Sequence, residues 1–184
     1  MEDLSQLIKD CAAGKPKAQA RLYQLFAPKM YGVCMRYCKD QTEAEDNLQD
    51  GFMKVFEKIG TFRHEGSFEG WIRRIMVNVS LEKYRKQHLL YPVEDMAVYD
   101  TPDFKDEIIS EISANDLMKL IQELPPRYRM VFNLFIFEGM NHKEIADELK
   151  ISEGTSKSNL ARARMILKKK VVMNFEKLEN NYSA

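Results

Sequence analysis

The chain has 184 residues, enough for one large domain or two small ones, and its 45% hydrophobic and 30% charged residues are ordinary for a globular protein. It shows no apolar run that could cross a bilayer, no signal-peptide pattern, and an odd number of cysteines, three, which does not suggest a disulfide framework. These features predict a cytoplasmic protein without membrane insertion. The net charge is zero, but residues 92–126 hold two basic and nine acidic residues, net −7, between two mildly basic flanks.

The first half of the chain predicts a group of packed helices. Apolar residues recur every three or four positions over residues 18–38, as in an amphipathic helix. Thr42 and Glu45 match a capping box, so we expect the next helix to begin there and to stop at Gly60 and Thr61. A loop with two glycines is predicted over residues 62–70.

The second predicted helix opens with an acidic stretch. Five acidic residues and no basic ones lie between Asp40 and Asp50. Acidic side chains near a helix N-terminus complement the helix dipole, which accounts for Glu43 and Glu45 better than for Asp50. Taken alone, this pattern favours a solvated face over a docking surface for a basic partner.

The helix predicted from Phe68 has the opposite charge. Arg74, Asn78 and Arg85 share a stripe beside an apolar face that includes Trp71. Cations and an amide beside aromatic rings suit a nucleic-acid surface, because cations hold phosphates and rings stack on unpaired bases. A solvated face with core aromatic residues explains the pattern about equally well.

Residues 90–113 read as a linker. They include Pro92, Pro102 and a run of acidic residues, and their apolar residues keep no sustained helical period, so we expect an extended or mobile segment. A short helix is predicted after it, because apolar residues from Ile108 to Ile121 approximate a helical stripe.

The last third of the chain carries the signals of a helix-turn-helix. An apolar helix is predicted between Pro126 and Gly139, a short helix capped by Asn141 follows, and Ser152 is a good N-cap for a third helix. The predicted buried stripe of that third helix is Ser156, Leu160, Ala163 and Leu167. Residues 150–170 hold seven basic and one acidic residue, which is typical of a DNA-recognition helix.

Two stretches then resemble one family. EGMNHKEIADELKISEGTSKSNLARAR resembles the promoter-binding domain of extracytoplasmic-function sigma factors of bacterial RNA polymerase. EAEDNLQDGFMKVFEKIGTFRHEGSFEGWIRRIMVNVSLEKYRK resembles the N-terminal domain of the same group. The resemblance implies an all-α protein with two small helical domains, residues 1–90 and 114–184, joined by a flexible acidic linker over 91–113. The C-terminal domain would contain the helix-turn-helix.

The resemblance also implies roles for particular side chains. In this family the acidic helix docks on core RNA polymerase, which points to Glu45, Asp46, Gln49, Asp50 and Phe52. The following loop and helix melt the promoter at its −10 element, and the matching DNA-binding positions are Arg63, Ser67, Phe68, Trp71, Arg74 and Asn78. The C-terminal helix reads the −35 element through Lys157, Ser158 and Arg162, with phosphate contacts from Arg164 and Lys168.

Five positions depart from the family pattern, among them Asn159 and Ala161, where larger or basic residues are frequent. Glu69 is acidic beside the expected base pocket, so we expect its side chain to point away. Lys150 stands where the turn commonly has glycine, which costs some strain if that position needs positive φ. Ser156 replaces an apolar residue and should weaken the helix-turn-helix core.

Other functions fit less of the chain. Residues 124–170 alone would permit a helix-turn-helix regulator that acts without core polymerase, but the acidic helix and the Trp71 segment argue against it. The sequence offers no nucleophile with a partnered base and no phosphate-binding glycine loop, so we expect no enzyme activity and no cofactor. Cys34 and Cys38 share a helix face without further ligands nearby, so we expect buried apolar side chains and no metal. The expected partners are core RNA polymerase, promoter DNA and, as is common in the family, an anti-sigma factor.

Overall fold

The computed structural model describes residues 3–90 and 113–182, with side chains for residues 3–87 and 113–173. The helices are α1 (Leu4–Ala12), α2 (Pro16–Tyr37), α3 (Gln41–Lys58), α4 (Phe68–Leu90), α5 (Ala114–Gln122), α6 (Pro126–Ile136), α7 (His142–Leu149) and α8 (Glu153–Tyr182). A 3₁₀ turn at Ile59–Thr61 follows α3. All regular structure in these described ranges is helical, which confirms the all-α prediction.

The chain divides into an N-terminal unit, residues 1–86, and a C-terminal unit, residues 87–184. The predicted linker lies outside the described residues apart from Leu90, the last residue of α4, and Ser113, which caps α5. The predicted start of the short helix at Ile108 also lies outside them. Among residues 3–90 and 113–182, no helix is both long and apolar enough to cross a membrane.

The start of α3 corrects one prediction. Asp40, and not Thr42, is the N-cap, because its Oδ1 accepts a hydrogen bond from the Glu43 backbone N–H at 2.8 Å. The Glu43 carboxylate in turn accepts from the Lys39 backbone N–H at 2.8 Å. The sequence contains two overlapping acid-rich cap patterns here, and the structure uses the one that begins earlier. The stop predicted at Gly60 and Thr61 is confirmed.

The core of the N-terminal unit joins α2, α3 and α4. Cys34 and Cys38 are buried, as predicted, and burial raises the pKa of the Cys34 thiol to about 12, so it stays protonated. The buried Asn47 amide of α3 donates to Cys38 Sγ at 3.0 Å and to Ser80 Oγ of α4 at 3.1 Å. This polar link fixes α3 against the end of α2 and against α4.

Gly51 allows α3 and α4 to approach closely. A Cβ placed on Gly51 would lie 2.1 Å from Sδ of Met76, far inside normal contact. Met76 is fully buried, so glycine at this position lets the methionine side chain fill the space between the helices.

The C-terminal unit confirms the predicted caps. Asn141 and Glu144 form a capping box at the start of α7, and Ser152 Oγ accepts from the Thr155 backbone N–H at 3.0 Å at the start of α8. Lys150 ends α7 with φ +58°, so the lysine occupies the left-handed conformation that favours glycine. The stripe predicted to be buried on α8 is buried throughout: Ser156, Leu160, Ala163 and Leu167.

Candidate functional site

The acidic face of α3 consists of Glu45, Asp46, Gln49 and Asp50, and all four side chains are exposed. These side chains differ in whether they already form an ion pair with a neighbouring residue. Lys83 Nζ of α4 lies 2.6 Å from Asp50 Oδ2, whereas Asp46 forms no hydrogen bond or ion pair with the residues that the structure describes. The same holds for Glu45, so Glu45 and Asp46 are the acids of this face that need no rearrangement to meet a cationic partner.

Phe52 is not part of that exposed face. It is 2% exposed and packs on Tyr23 of α2, with ring centroids 4.7 Å apart, and on Phe56 at 6.0 Å. α2 covers the side of α3 on which Phe52 lies, and the role of Phe52 in polymerase binding stays a prediction. Phe52 instead lines the floor of an open groove between α2 and α3.

The groove adds apolar surface beside the acidic face, which sequence reasoning missed. Glu45 and Gln49 stand on its rim, and Met53, 59% exposed, continues the same line of α3. The signal was available in the sequence, since Glu45, Gln49 and Met53 follow at intervals of four residues. The tyrosine contribution from α2, Tyr23 and Tyr31, had no such signal.

An aromatic cluster supports the loop before α4. It contains Phe26, Phe62, His64, Phe68 and Trp71, with ring centroids of adjacent members between 4.8 and 5.6 Å apart. Phe68 is 4% exposed and stacks on Trp71 at an interplanar angle of 17°. Phe68 is therefore buried in the free protein and its role in DNA binding stays a prediction, while Trp71 is half-buried at the edge of the cluster.

The remaining predicted −10 residues surround this cluster. Ser67 Oγ accepts from the Gly70 backbone N–H at 3.0 Å, so this hydroxyl caps α4 and fixes the end of the loop. Arg63, Arg74 and Asn78 are exposed. The carboxylate of Glu69 pairs with Lys29 Nζ of α2 at 2.7 Å, which draws the acid toward α2.

The residues predicted to bind the −35 element lie on α8 and differ in their exposure and in their hydrogen-bond partners. Lys157 is exposed and pairs with Glu153 one turn earlier at 2.8 Å, and Arg164 is also exposed. Ser158 Oγ donates to the Thr155 carbonyl at 3.0 Å, and Lys168 is half-buried. Arg162 Nη1 donates to Oη of Tyr128 on α6 at 3.1 Å.

A polar contact joins the two helices of the helix-turn-helix. Nδ1 of His142 lies 3.0 Å from Oγ of the fully buried Ser156, and the imidazole stacks on Phe135 at 4.9 Å. Burial lowers the pKa of His142 below its ordinary value, and the nearby positive charge of Lys157 lowers it further. The hydroxyl of Ser156, which stands where the family commonly has an apolar side chain, thus has His142 as a hydrogen-bond partner inside the helix-turn-helix.

Family models match both units. The Sigma-70 region 2 model matches residues 22–89, and the Sigma-70, region 4 model matches residues 114–167. Together these matches cover more than half of the chain. The chain belongs to the sigma-70 family. Region 2 contains α3 and the loop before α4, and region 4 contains the helix-turn-helix.

Curated relatives are similar along nearly the whole chain. The RNA polymerase sigma-H factor of Pseudomonas aeruginosa is 28% identical, with 91% of this chain and 93% of the relative aligned. The ECF RNA polymerase sigma factor SigW of Bacillus subtilis is 27% identical, over 91% of this chain and 96% of the relative. A solved sigma factor, RpoE in complex with the anti-sigma factor NepR from Bartonella quintana, has 21% identity and a TM-score of 0.49, covering 84% of this chain and 96% of that one.

Region 2 decides between the two DNA-binding functions that the sequence left open. A helix-turn-helix regulator acting alone would account for region 4, but not for a second unit that matches the other conserved region of sigma factors in the family order. The chain is an extracytoplasmic-function sigma factor, which binds core RNA polymerase and directs transcription initiation at specific promoters.

Proposed function

We propose that the acidic face of α3 is the polymerase-docking element of this sigma factor, with Asp46 as its central charge. Glu45, Asp46 and Gln49 are exposed together on one side of the helix, beside the groove that Met53 helps to line. Asp50 contributes less, because its ion pair with Lys83 must open before a polymerase cation can take its place. Exposed apolar surface beside charges fits an interface with a hydrophobic centre and a charged rim.

The loop over residues 62–67 and the start of α4 bind and melt the −10 element in this proposal. Arg63, Arg74 and Asn78 supply the exposed polar contacts, and Trp71 offers a ring at the surface. Ser67 and Phe68 act from beneath, one as the cap of α4 and the other as the floor of the aromatic cluster. Unpaired bases gain stacking on such a surface, which offsets part of the cost of opening the duplex.

The exposed side of α8 binds the −35 element. Lys157, Ser158 and Arg162 lie in its first three turns, and Arg164 and Lys168 follow on one flank. A recognition helix of this kind enters the major groove, where its side chains meet base edges and its flanking cations meet phosphates.

The wider organisation follows from the same function. The domains span residues 1–90 and 114–184, the acidic segment 91–113 links them, and the protein works in the cytoplasm, where it meets the polymerase. An anti-sigma factor is a further partner in this proposal. The polymerase supplies the chemistry, so the sigma factor itself needs neither catalytic residues nor a cofactor.

The observation that carries the proposal is the exposed acidic face of α3 in the same chain as a basic recognition helix. In-vitro transcription with purified core polymerase on a genomic library tests it, since some templates should be transcribed only when the protein is added. Asp46→Lys should abolish these transcripts. Glu57→Lys is the matched control, because it makes the same charge change near the C-terminal end of α3, where a cation suits the helix dipole. No added transcript with the wild-type protein would contradict the proposal.

A further inference from the structure

Two arginine side chains meet at one phenol in the C-terminal unit. Nη1 of Arg162 on α8 donates to Oη of Tyr128 at 3.1 Å, and Nη2 of Arg127 donates to the same oxygen at 3.2 Å. Cζ of Arg127 also lies 4.9 Å from the centroid of the Tyr128 ring. Because one oxygen accepts from both, the two guanidinium groups are held next to each other.

This arrangement suits an anion. Both guanidinium groups are permanently positive. A phosphate placed between them is attracted by both and reduces the repulsion between them. Their planar donor sets match phosphate oxygens. Arg127 and Tyr128 lie in the first turn of α6, where the helix dipole also favours negative charge. Both arginines are half-buried, so part of each side chain reaches the surface.

The position of Arg162 on α8 indicates which anion the two arginines meet. Arg162 and Arg164 lie about 160° apart around the helix at 100° per residue. Tyr128, near the start of α6, holds Arg162, and Phe135, near the end of α6, lies 5.8 Å from Cζ of Arg164. The two ends of α6 therefore support arginines on opposite flanks of α8. A recognition helix in the major groove has one phosphate backbone along each flank.

We propose that Arg127 and Arg162, positioned by the Tyr128 hydroxyl, bind one backbone phosphate of the promoter on the flank of α8 opposite Arg164. The proposal rests on the function proposed above for α8. It assigns Arg127 a DNA contact, and it moves Arg162 from the base edge to the backbone. Bases are then read by the side chains between the two flanks, among them Ser158 and Ala161.

The test measures the affinity of the full chain for short duplexes of mixed sequence at several salt concentrations. Each phosphate contact contributes about 0.9 to the slope of log affinity against log salt. Arg127→Gln and Arg162→Gln should each weaken binding evenly across sequences. The double variant should lower the slope by about 0.9, the value for one phosphate, and not by about 1.8, the value for two separate ones. Lys17→Gln removes the same charge from an exposed position in the N-terminal unit and should leave the slope unchanged.

Tyr128→Phe isolates the positioning role, because it keeps every charge and the ring and removes only Oη. Affinity should fall about fivefold, the worth of one net hydrogen bond, while the variant stays folded at the assay temperature, as its circular-dichroism spectrum would show. A loss for Arg162→Gln confined to one base position, or an Arg127→Gln variant that behaves like Lys17→Gln, would overturn the shared phosphate site and leave the function of α8 intact. A wild-type chain that binds no duplex even at low salt would overturn both.

Discussion

The close approach of α3 and α4 at Gly51 gives one added methyl group a cost that can be worked out. A Cβ at this position lies 2.1 Å from Sδ of Met76 and 2.9 Å from its Cε. Met76 is fully buried, so its side chain cannot avoid the new methyl group by rotating out into solvent. Overpacking of this kind costs about 1–3 kcal/mol, while exchanging glycine for alanine inside a helix gains about 1 kcal/mol. Gly51→Ala should therefore destabilise the N-terminal unit despite its better helix propensity.

Gly32 provides the matched control. It lies inside α2, and a Cβ there meets no atom within 4 Å, so Gly32→Ala should stabilise the same unit by about 1 kcal/mol. The free energies of unfolding of the two variants should differ by the packing cost alone, about 1–3 kcal/mol, with Gly51→Ala the less stable.

Urea unfolding followed by tryptophan fluorescence measures this difference. Trp71 is the single tryptophan of the chain and lies in the N-terminal unit, so its signal follows that unit. Met76→Ala removes the side chain that the new methyl group would meet. In the Met76→Ala background, Gly51→Ala should therefore no longer lower the free energy of unfolding. Equal midpoints for the two glycine variants would refute the reasoning, since they would show that α3 and α4 separate freely enough to admit a methyl group.

Three further outcomes concern the site. Asp46→Lys should weaken core polymerase binding at least about tenfold and more than Asp50→Lys does, because Lys83 already neutralises Asp50. Titration of labelled protein with core polymerase measures both affinities, and equal losses would contradict the prediction. The pKa of His142 lies below its ordinary value of 6.5, so the unfolded chain takes up the proton more readily than the folded C-terminal unit. The thermal stability of that unit should then fall as the pH drops below about 6.5, and a His142→Gln variant with the same pH dependence would assign the effect elsewhere. Replacing the acids of residues 94–106 by amides should weaken holoenzyme formation, and wild-type transcription at physiological salt would show that linker charge is incidental.

Local patterns predicted much of this protein. The capping box at Asn141, the cap at Ser152 and the buried stripe of α8 depend on residues within a turn or two of each other, so the sequence contains the whole interaction. The left-handed conformation of Lys150 follows equally from the tight turn it closes. The error at Thr42 arose because two cap patterns overlap, and local sequence does not rank them.

The resemblance to sigma factors predicted the function, because matching motifs in order are visible in the sequence alone, whereas the charges of α3 and α4 by themselves also fitted solvated faces. Helical periodicity identifies which residues share a face, but it does not say what covers that face. Burial of Phe52 under Tyr23 is therefore a property of the packed helices. The same holds for the contact between Arg162 and Tyr128, which are 34 residues apart, because side-chain contacts between helices depend on crossing positions that no local signal records.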